Sequence, residues 1–303
     1  MMKLKNLYLE GGKNMVFNKV IKKAHDYGIL VMFSHTIFSL SFALISMLLA
    51  GNGMPPINKL IWILVAFLGA RTGANAINRV IDAEIDKKNP RTSVRQIPQG
   101  KMNKREVIVF SIVCFLVMVF AAAQLNLLCL ILSPIALFLM TIYSYTKRFT
   151  WMCHLVLGVT CAAAPVGAWI AVTGSISLLP LFMGAANTLW VAGFDIIYGA
   201  QDYEFDTNNG LNSIPARFGV KNSLVISSFF HVLAMIFLVI VGLLSSSLGI
   251  IYFVGLAIIG VLFFVEHKII SPDNLSQVTI ASYGINQIVS IVLLIFGLID
   301  FFI

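Results

Sequence analysis

Residues 57–91 read INKLIWILVAFLGARTGANAINRVIDAEIDKKNPR. The stretch opens as an apolar run over 57–78. That is long enough to cross a bilayer, for which a helix needs about 20 mostly apolar residues. It then turns polar, with Arg79, Asp82, Glu84, Asp86, Lys87, Lys88 and Arg91 in quick succession. A span that delivers carboxylates and bases to one face of a membrane is the unit from which the rest of the chain is read.

Apolar runs of similar length recur at 28–50, 106–124, 126–146, 151–172, 177–198, 222–244, 247–265 and 278–302. The breaks carry turn chemistry, at Gly51-Asn52-Gly53 with Pro55-Pro56, Gln124-Leu125-Asn126, Gly174, Ser245-Ser246-Ser247 and Pro272-Asp273-Asn274. The composition agrees: 59% of the 303 residues are hydrophobic, 11% are charged, and mean hydropathy is +0.91. Soluble domains carry about 25% charged residues, so this chain has too few to coat a water-soluble surface. Disorder and a soluble enzyme are excluded. The expected fold is all-α, a polytopic membrane protein of about nine transmembrane helices. Cys114, Cys129, Cys153 and Cys161 each fall inside an apolar run without metal-ligand spacing and read as packing residues.

Of the 21 Lys and Arg residues, all but Lys59 and Arg71 lie before the first span or in the even-numbered connections. The positive-inside bias then predicts a cytoplasmic N-terminus and cytoplasmic even connections. The expected location is a bacterial-type inner (cytoplasmic) membrane. Residues 1–27 form a basic N-terminal segment without the pattern of a cleavable signal. Within it, residues 15–25 fit either a short interfacial helix or a flank that only sets topology. Residues 28–302 are expected to form a single transmembrane domain.

Six of the 13 acidic residues fall in two clusters, Asp82-Ala83-Glu84-Ile85-Asp86 and Asp202-Tyr203-Glu204-Phe205-Asp206. In a helix, D-x-x-x-D spacing places two carboxylates on one face about 6 Å apart, and Asn78 precedes Asp82 by one turn. Like charges at that spacing repel, and divalent cations such as Mg²⁺ offset the repulsion. One cluster follows span two and the other span six. The chain thus reads as two four-helix pseudo-repeats plus a ninth helix, with the clusters opposed across a central cavity. Arg91, Lys147 and Arg148 stand beside them and suit a diphosphate. Asp195 lies two helical turns deeper than Asp202 within span six, and an ionisable residue inside a span is a functional candidate by default. Tyr198 lies between them. His35, in the first span, is a weaker candidate to face a substrate.

These residues resemble the UbiA superfamily of intramembrane prenyltransferases. Asn78-x-x-x-Asp82-x-x-x-Asp86 resembles its first aspartate-rich motif, and Tyr198-Gly-Ala-Gln201-Asp202-x-x-x-Asp206 its second. Tyr143-x-x-x-Lys147-Arg148 resembles the basic motif after its fourth helix. Asn89-Pro90-Arg91-Thr92 and Arg95-x-x-Pro98-x-Gly100 resemble its loop after the first motif. The run Gly193-Phe194-Asp195-Ile196-Ile197-Tyr198 is most similar to the 4-hydroxybenzoate polyprenyltransferase branch. Glu204-Phe205-Asp206 through Pro215 is closer to relatives that prenylate 1,4-dihydroxy-6-naphthoate in the futalosine route to menaquinone.

The resemblance implies a Mg²⁺-dependent transferase of the EC 2.5.1 type. It would move a polyprenyl group from its diphosphate to a ring carbon of a small aromatic acid, in ubiquinone or menaquinone biosynthesis. It implies metal ligation by Asn78, Asp82, Asp86, Asp202 and Asp206, and diphosphate binding by Asn78, Arg91, Lys147 and Arg148. Lys147, Arg148, Asp195 and Tyr198 are the implied catalytic residues, with Asp195 stabilising the allylic cation or taking the ring proton. The expected partners are polyprenyl diphosphate, the aromatic acid and the lipid bilayer, with no nucleic acid. The rival from another class is a secondary transporter, whose sites lie near the midplane, whereas the charges here gather at one face.

Overall fold

The apolar runs fold as helices in the computed structural model of the chain, which describes residue 23, residues 25–31 and residues 37–303. Helix α1 covers Ile37–Gly51, α2 Ile57–Ile81, the short α3 Ala83–Lys88, α4 Lys104–Leu125 and α5 Leu127–Ile142. A 3₁₀ segment, Tyr143–Arg148, leads to α6, Cys153–Thr173, and α7, Leu178–Gly199. A 3₁₀ turn at Ala200–Asp202 and the short α8, Tyr203–Asn208, follow. Helices α9 (Ile214–Leu244) and α10 (Ile250–Lys268), a π-helical turn (Ile280–Ile285) and α11 (Asn286–Phe302) complete the described chain.

Among the described residues, eight helical stretches are long and apolar enough to cross a membrane, and α1 contributes a ninth, shorter apolar helix. Large apolar side chains such as Leu116, Phe138, Val225 and Phe264 are exposed around the outside. In a bundle whose solvent is lipid, that is where they belong. The chain is an integral membrane protein. His35 and nearly all of residues 15–25 lie outside the described residues, as do residues 32–36 within the first expected span.

The helix ends follow from local chemistry. Asn126 adopts an extended backbone (φ −165°, ψ 168°) and its side chain accepts from the Cys129 amide at 2.9 Å, so α4 stops and α5 starts at one residue. Gly174 closes α6 in the left-handed region at φ 70°. Ser213 caps α9 through the Ala216 amide. The helix begins at Ile214 and is interrupted at Gly219 (φ 75°, ψ 160°), so a short entry segment precedes the apolar span expected from residue 222.

Helix α7 is the hub, packed against α6 on one side and α9 on the other. Helices α1, α11 and α10 close that half into a ring, while α2 pairs with α4. Small residues permit the closest crossings: a Cβ built on Gly158 would lie 2.2 Å from the Thr188 carbonyl oxygen, so α6 and α7 touch backbone to backbone there.

The two expected half-repeats show as one shared local device. Helix α2 ends at Ile81, Asp82 sits at φ −89°, ψ 0°, and the six-residue α3 follows. Helix α7 ends at Gly199, Asp202 sits at φ −94°, ψ 5°, and the six-residue α8 follows. In each, the first Asp caps the short helix, which then carries Glu84 and Asp86, or Glu204 and Asp206, in its first turn.

Candidate active site

Both acidic steps open onto one cavity of about 290 Å³. Its walls include Asn78, Asp82 and Asp86 from the first step and Asp202 and Asp206 from the second. Asp195, Tyr198, Arg91 and Lys147 line the same space. The backbone explains the reach of the first cluster. The Asp82 amide bonds Asn78 O at 2.9 Å and the Asp86 amide bonds Asp82 O at 2.7 Å, so helical spacing persists across the kink. Asn78 Nδ2 donates to Asp82 Oδ2 at 2.8 Å and to Ser144 Oγ at 3.2 Å. The middle glutamates, Glu84 and Glu204, are exposed and take no part.

Each of the four aspartates faces a base. Arg95 Nη1 donates to both oxygens of Asp86, at 2.7 and 2.8 Å. Arg148 Nη2 donates to Asp82 Oδ1 at 3.1 Å. Lys147 Nζ stands 3.5 Å from Asp206 Oδ2. Arg91 grips Asp202 with a two-pronged contact, Nε to Oδ1 at 3.0 Å and Nη2 to Oδ2, and Asn89 Nδ2 adds a third donor at 2.9 Å. The like-charge repulsion expected of D-x-x-x-D spacing is therefore offset within the chain itself. The same guanidinium donates to the Tyr198 hydroxyl and lies 4.6 Å above its ring. Burial raises the Asp82 carboxyl above the usual range, and Asp86 adds to this against the Arg148 charge. Burial would lower Arg91, but the Asp202 hydrogen bonds and charge outweigh it and push it up.

The deeper part of the cavity holds Asp195, whose Oδ2 lies 2.8 Å from His154 Nδ1. His154 is buried, and its Nε2 has no hydrogen-bond partner. Tyr283, from the π-helical turn, packs edge-on against Tyr198 with ring centroids 4.8 Å apart. Beneath this polar end lies a second, apolar cavity of about 360 Å³, walled by residues such as Ala66, Ala70, Leu132, Ala136 and Ala164. Arg71, Asn75, Tyr143, Leu157 and Cys161 line both cavities, so the two meet.

The structure thus gathers all the site residues expected from sequence, with one displacement. Arg148 sits at the rim rather than on the cavity wall, where it also holds the Ser144 and Ile81 carbonyls at 2.7 and 2.9 Å. Several wall residues escaped the assignment from sequence. From sequence, Arg95 reads as part of the loop motif beside the first cluster, without a role in the site. Asn89 is an uncharged loop residue. His154 lies in an apolar run 41 positions from Asp195. Arg79 was counted in the connection, yet it belongs to the last turn of α2, with Nε 3.3 Å from Leu30 O. The signal for Arg71 and Asn75 was available, because with Asn78 and Asp82 they fall on one helical face.

The donor set fits a hard divalent cation. Four carboxylates and an amide line the cavity from its two sides, and an all-oxygen set of this kind suits an ion that prefers oxygen ligands.

Comparisons agree with the geometry. The UbiA prenyltransferase family matches residues 39–291. A 4-hydroxybenzoate octaprenyltransferase from Francisella tularensis is 28% identical over 86% of this chain and 89% of its own length. A UbiA homologue from Aeropyrum pernix K1, solved in its apo form, superposes with a TM-score of 0.80 at 31% identity, covering 88% of this chain and 98% of its own. A UbiA homologue from Archaeoglobus fulgidus bound to DMAPP and Mg²⁺ shares the fold, at 19% identity and a TM-score of 0.67 over 92% of this chain and 99% of its own.

Proposed function

The chain belongs to the UbiA prenyltransferase family, and from that premise we propose that it transfers a polyprenyl group from polyprenyl diphosphate to a ring carbon of 4-hydroxybenzoate in quinone biosynthesis. One observation carries the reading: two aspartate steps, each with its own bases, face one polar cavity that opens into an apolar one. A diphosphate headgroup with an isoprenoid tail has that division of polarity. The relatives named 4-hydroxybenzoate octaprenyltransferase support the aromatic acceptor.

In this reading Asn78, Asp82, Asp86, Asp202 and Asp206 would hold Mg²⁺. When bound, the metal supplies Lewis-acid stabilisation of the charge on the departing diphosphate. Lys147 and Arg91 turn from their aspartates to phosphate oxygens, and Arg148 supports Asp82 at the rim. The allylic C–O bond breaks and its electron pair leaves with the diphosphate. The tail lies against Ala66, Ala70, Ala136 and Ala164, and these apolar walls keep water from the allylic cation. The ring carbon of the acceptor attacks that cation and forms the new C–C bond. Asp195 then takes the ring proton. Its partner His154 fixes its orientation from behind. The charged end of the bundle, with the N-terminus, faces the cytoplasm.

The test is prenyl transfer in membranes containing the expressed chain. Geranyl diphosphate and Mg²⁺ are supplied, with 4-hydroxybenzoate and 1,4-dihydroxy-6-naphthoate offered in parallel. Expected is product from 4-hydroxybenzoate, lost with EDTA and lost in Asp82→Ala or Asp202→Ala. Product from the naphthoate alone would overturn the acceptor assignment. Full activity in either purified aspartate variant would overturn the site.

A further inference from the structure

We propose a second metal site, for a transition-metal ion of the Zn²⁺ class, formed by His231 of α9 with Glu266 and His267 at the end of α10. None of the three lines the cavity described above. Helix α7 separates the two places, turning Asp195 and Tyr198 to the cavity and Gly193 to His231.

The three side chains converge. Their candidate ligand atoms all lie within 4.8 Å of one another, the only such grouping among the described residues. His231 Nδ1 is 3.0 Å from His267 Nε2 and 3.5 Å from Glu266 Oε2. In a tetrahedral zinc site with bonds of about 2.0–2.2 Å, neighbouring ligand atoms stand about 3.3–3.5 Å apart. The two His231 separations lie within about 0.3 Å of that range, and the Glu266–His267 pair lies within 4.8 Å.

The protonation pattern fits as well. His231 Nε2 lies 3.3 Å from the Trp190 carbonyl oxygen, which can only accept, so the proton belongs on Nε2 and Nδ1 keeps its lone pair. Glu266 is 0% exposed. Its Oε1 accepts from Asn286 Nδ2 at 2.8 Å, but Oε2 points at the imidazoles with no hydrogen-bond partner. A carboxylate oxygen buried in this way is costly unless a cation or a proton meets it.

A supporting shell is also present. Asn286, which aims Glu266, is itself held by Trp190 Nε1 at 2.5 Å. Such outer partners orient metal ligands. Space for the His231 ring depends on Gly193, where a Cβ would lie 2.3 Å from Nε2. His267 is partly exposed at the end of α10, which gives an ion a way in. Two imidazole nitrogens and one carboxylate oxygen favour zinc over magnesium, whereas the all-oxygen set of the prenyl-transfer site has the opposite preference. The two sites thus select different ions.

The test uses the full chain purified in detergent, stripped with EDTA and then held in excess Mg²⁺. Expected is one equivalent of Zn²⁺ retained through desalting, counted by elemental analysis. Co²⁺ in its place should give the visible d–d bands of a four-coordinate N,O site. Glu266→Gln and His267→Ala should each weaken retention at least tenfold, while Asp202→Ala leaves it unchanged. A chain that retains no Zn²⁺ and gives no Co²⁺ bands refutes the site without recourse to any variant. Loss of the ion in Asp202→Ala, or full retention in both cluster variants, would refute it too.

Discussion

Replacing Lys147 by Met separates the two duties that the geometry gives this side chain. Its Nζ lies 3.5 Å from Asp206 Oδ2, and Asp206 is 1% exposed. Coulomb's law at that distance, with an effective dielectric near 20, gives roughly 5 kcal/mol. The lysine side chain is 35% exposed, so desolvation and screening cut the net loss to about 2 kcal/mol. In a chain of this size that lowers Tm by roughly 4 °C. Mg²⁺ should restore much of it, because a cation on Asp206 replaces the missing ammonium. The variant should therefore show a larger Mg²⁺-dependent rise in Tm than the parent, measured by intrinsic fluorescence in detergent. Its kcat should nonetheless fall about 10²–10³-fold, the usual cost of one missing group that stabilises developing negative charge. Equal Mg²⁺-dependent shifts in both proteins, or an unimpaired kcat, would refute the shared role of Lys147.

His154→Asn should lower kcat about tenfold or more while leaving the KM for the prenyl diphosphate near the parent value, because His154 meets Asp195 and not the acidic steps; a change confined to KM would count against this. Ala136→Phe narrows the apolar cavity, so transfer of long prenyl chains should drop with geranyl transfer retained, read by product analysis over a donor series. Gly158→Ala should destabilise the fold by about 1–3 kcal/mol, since its Cβ would meet the Thr188 carbonyl oxygen at 2.2 Å with backbone on both sides; an unchanged Tm would show that α6 and α7 can part freely.

The spans and the two acidic steps were legible because both signals are local. An apolar run needs no partner to be seen, and carboxylates stand out where charge is scarce. The match between cluster position and span count brought the clusters to one end of the bundle, where the cavity lies. Which base serves which acid was not legible. Arg91, not Arg95, reaches Asp202, and Arg95 returns to Asp86, because the loop over 89–103 folds back between the two steps. That depends on turns such as the Thr92 and Ser93 amides bonding Asn89 O, which no charge pattern reveals. The pairing of His154 with Asp195 was hidden for a similar reason. It exists because α6 and α7 cross closely at Gly158, and a glycine in an apolar helix does not declare its neighbour.

The kinks at Asp82 and Asp202 suggest why the proposed chemistry sits where it does. A straight helix would carry both aspartates of a step on past the bundle and into water. Ending the long helix at the first Asp and restarting a short one keeps the helical spacing yet turns the second Asp inward, so that Asp86 and Asp206 are both buried. Buried carboxylates need counter-charge at every stage of turnover. Before substrate binds, Arg95, Arg148, Arg91 and Lys147 supply it. In the proposed cycle a diphosphate accompanied by divalent metal would bring little net charge to the site. Arg91 and Lys147 could then pass from Asp202 and Asp206 to the phosphate oxygens, because metal held by the aspartates would supply the counter-charge they leave. No carboxylate is left bare in the exchange. Once diphosphate and metal have both left, the original pairs can re-form, which returns the site to its starting charge without unfolding either step.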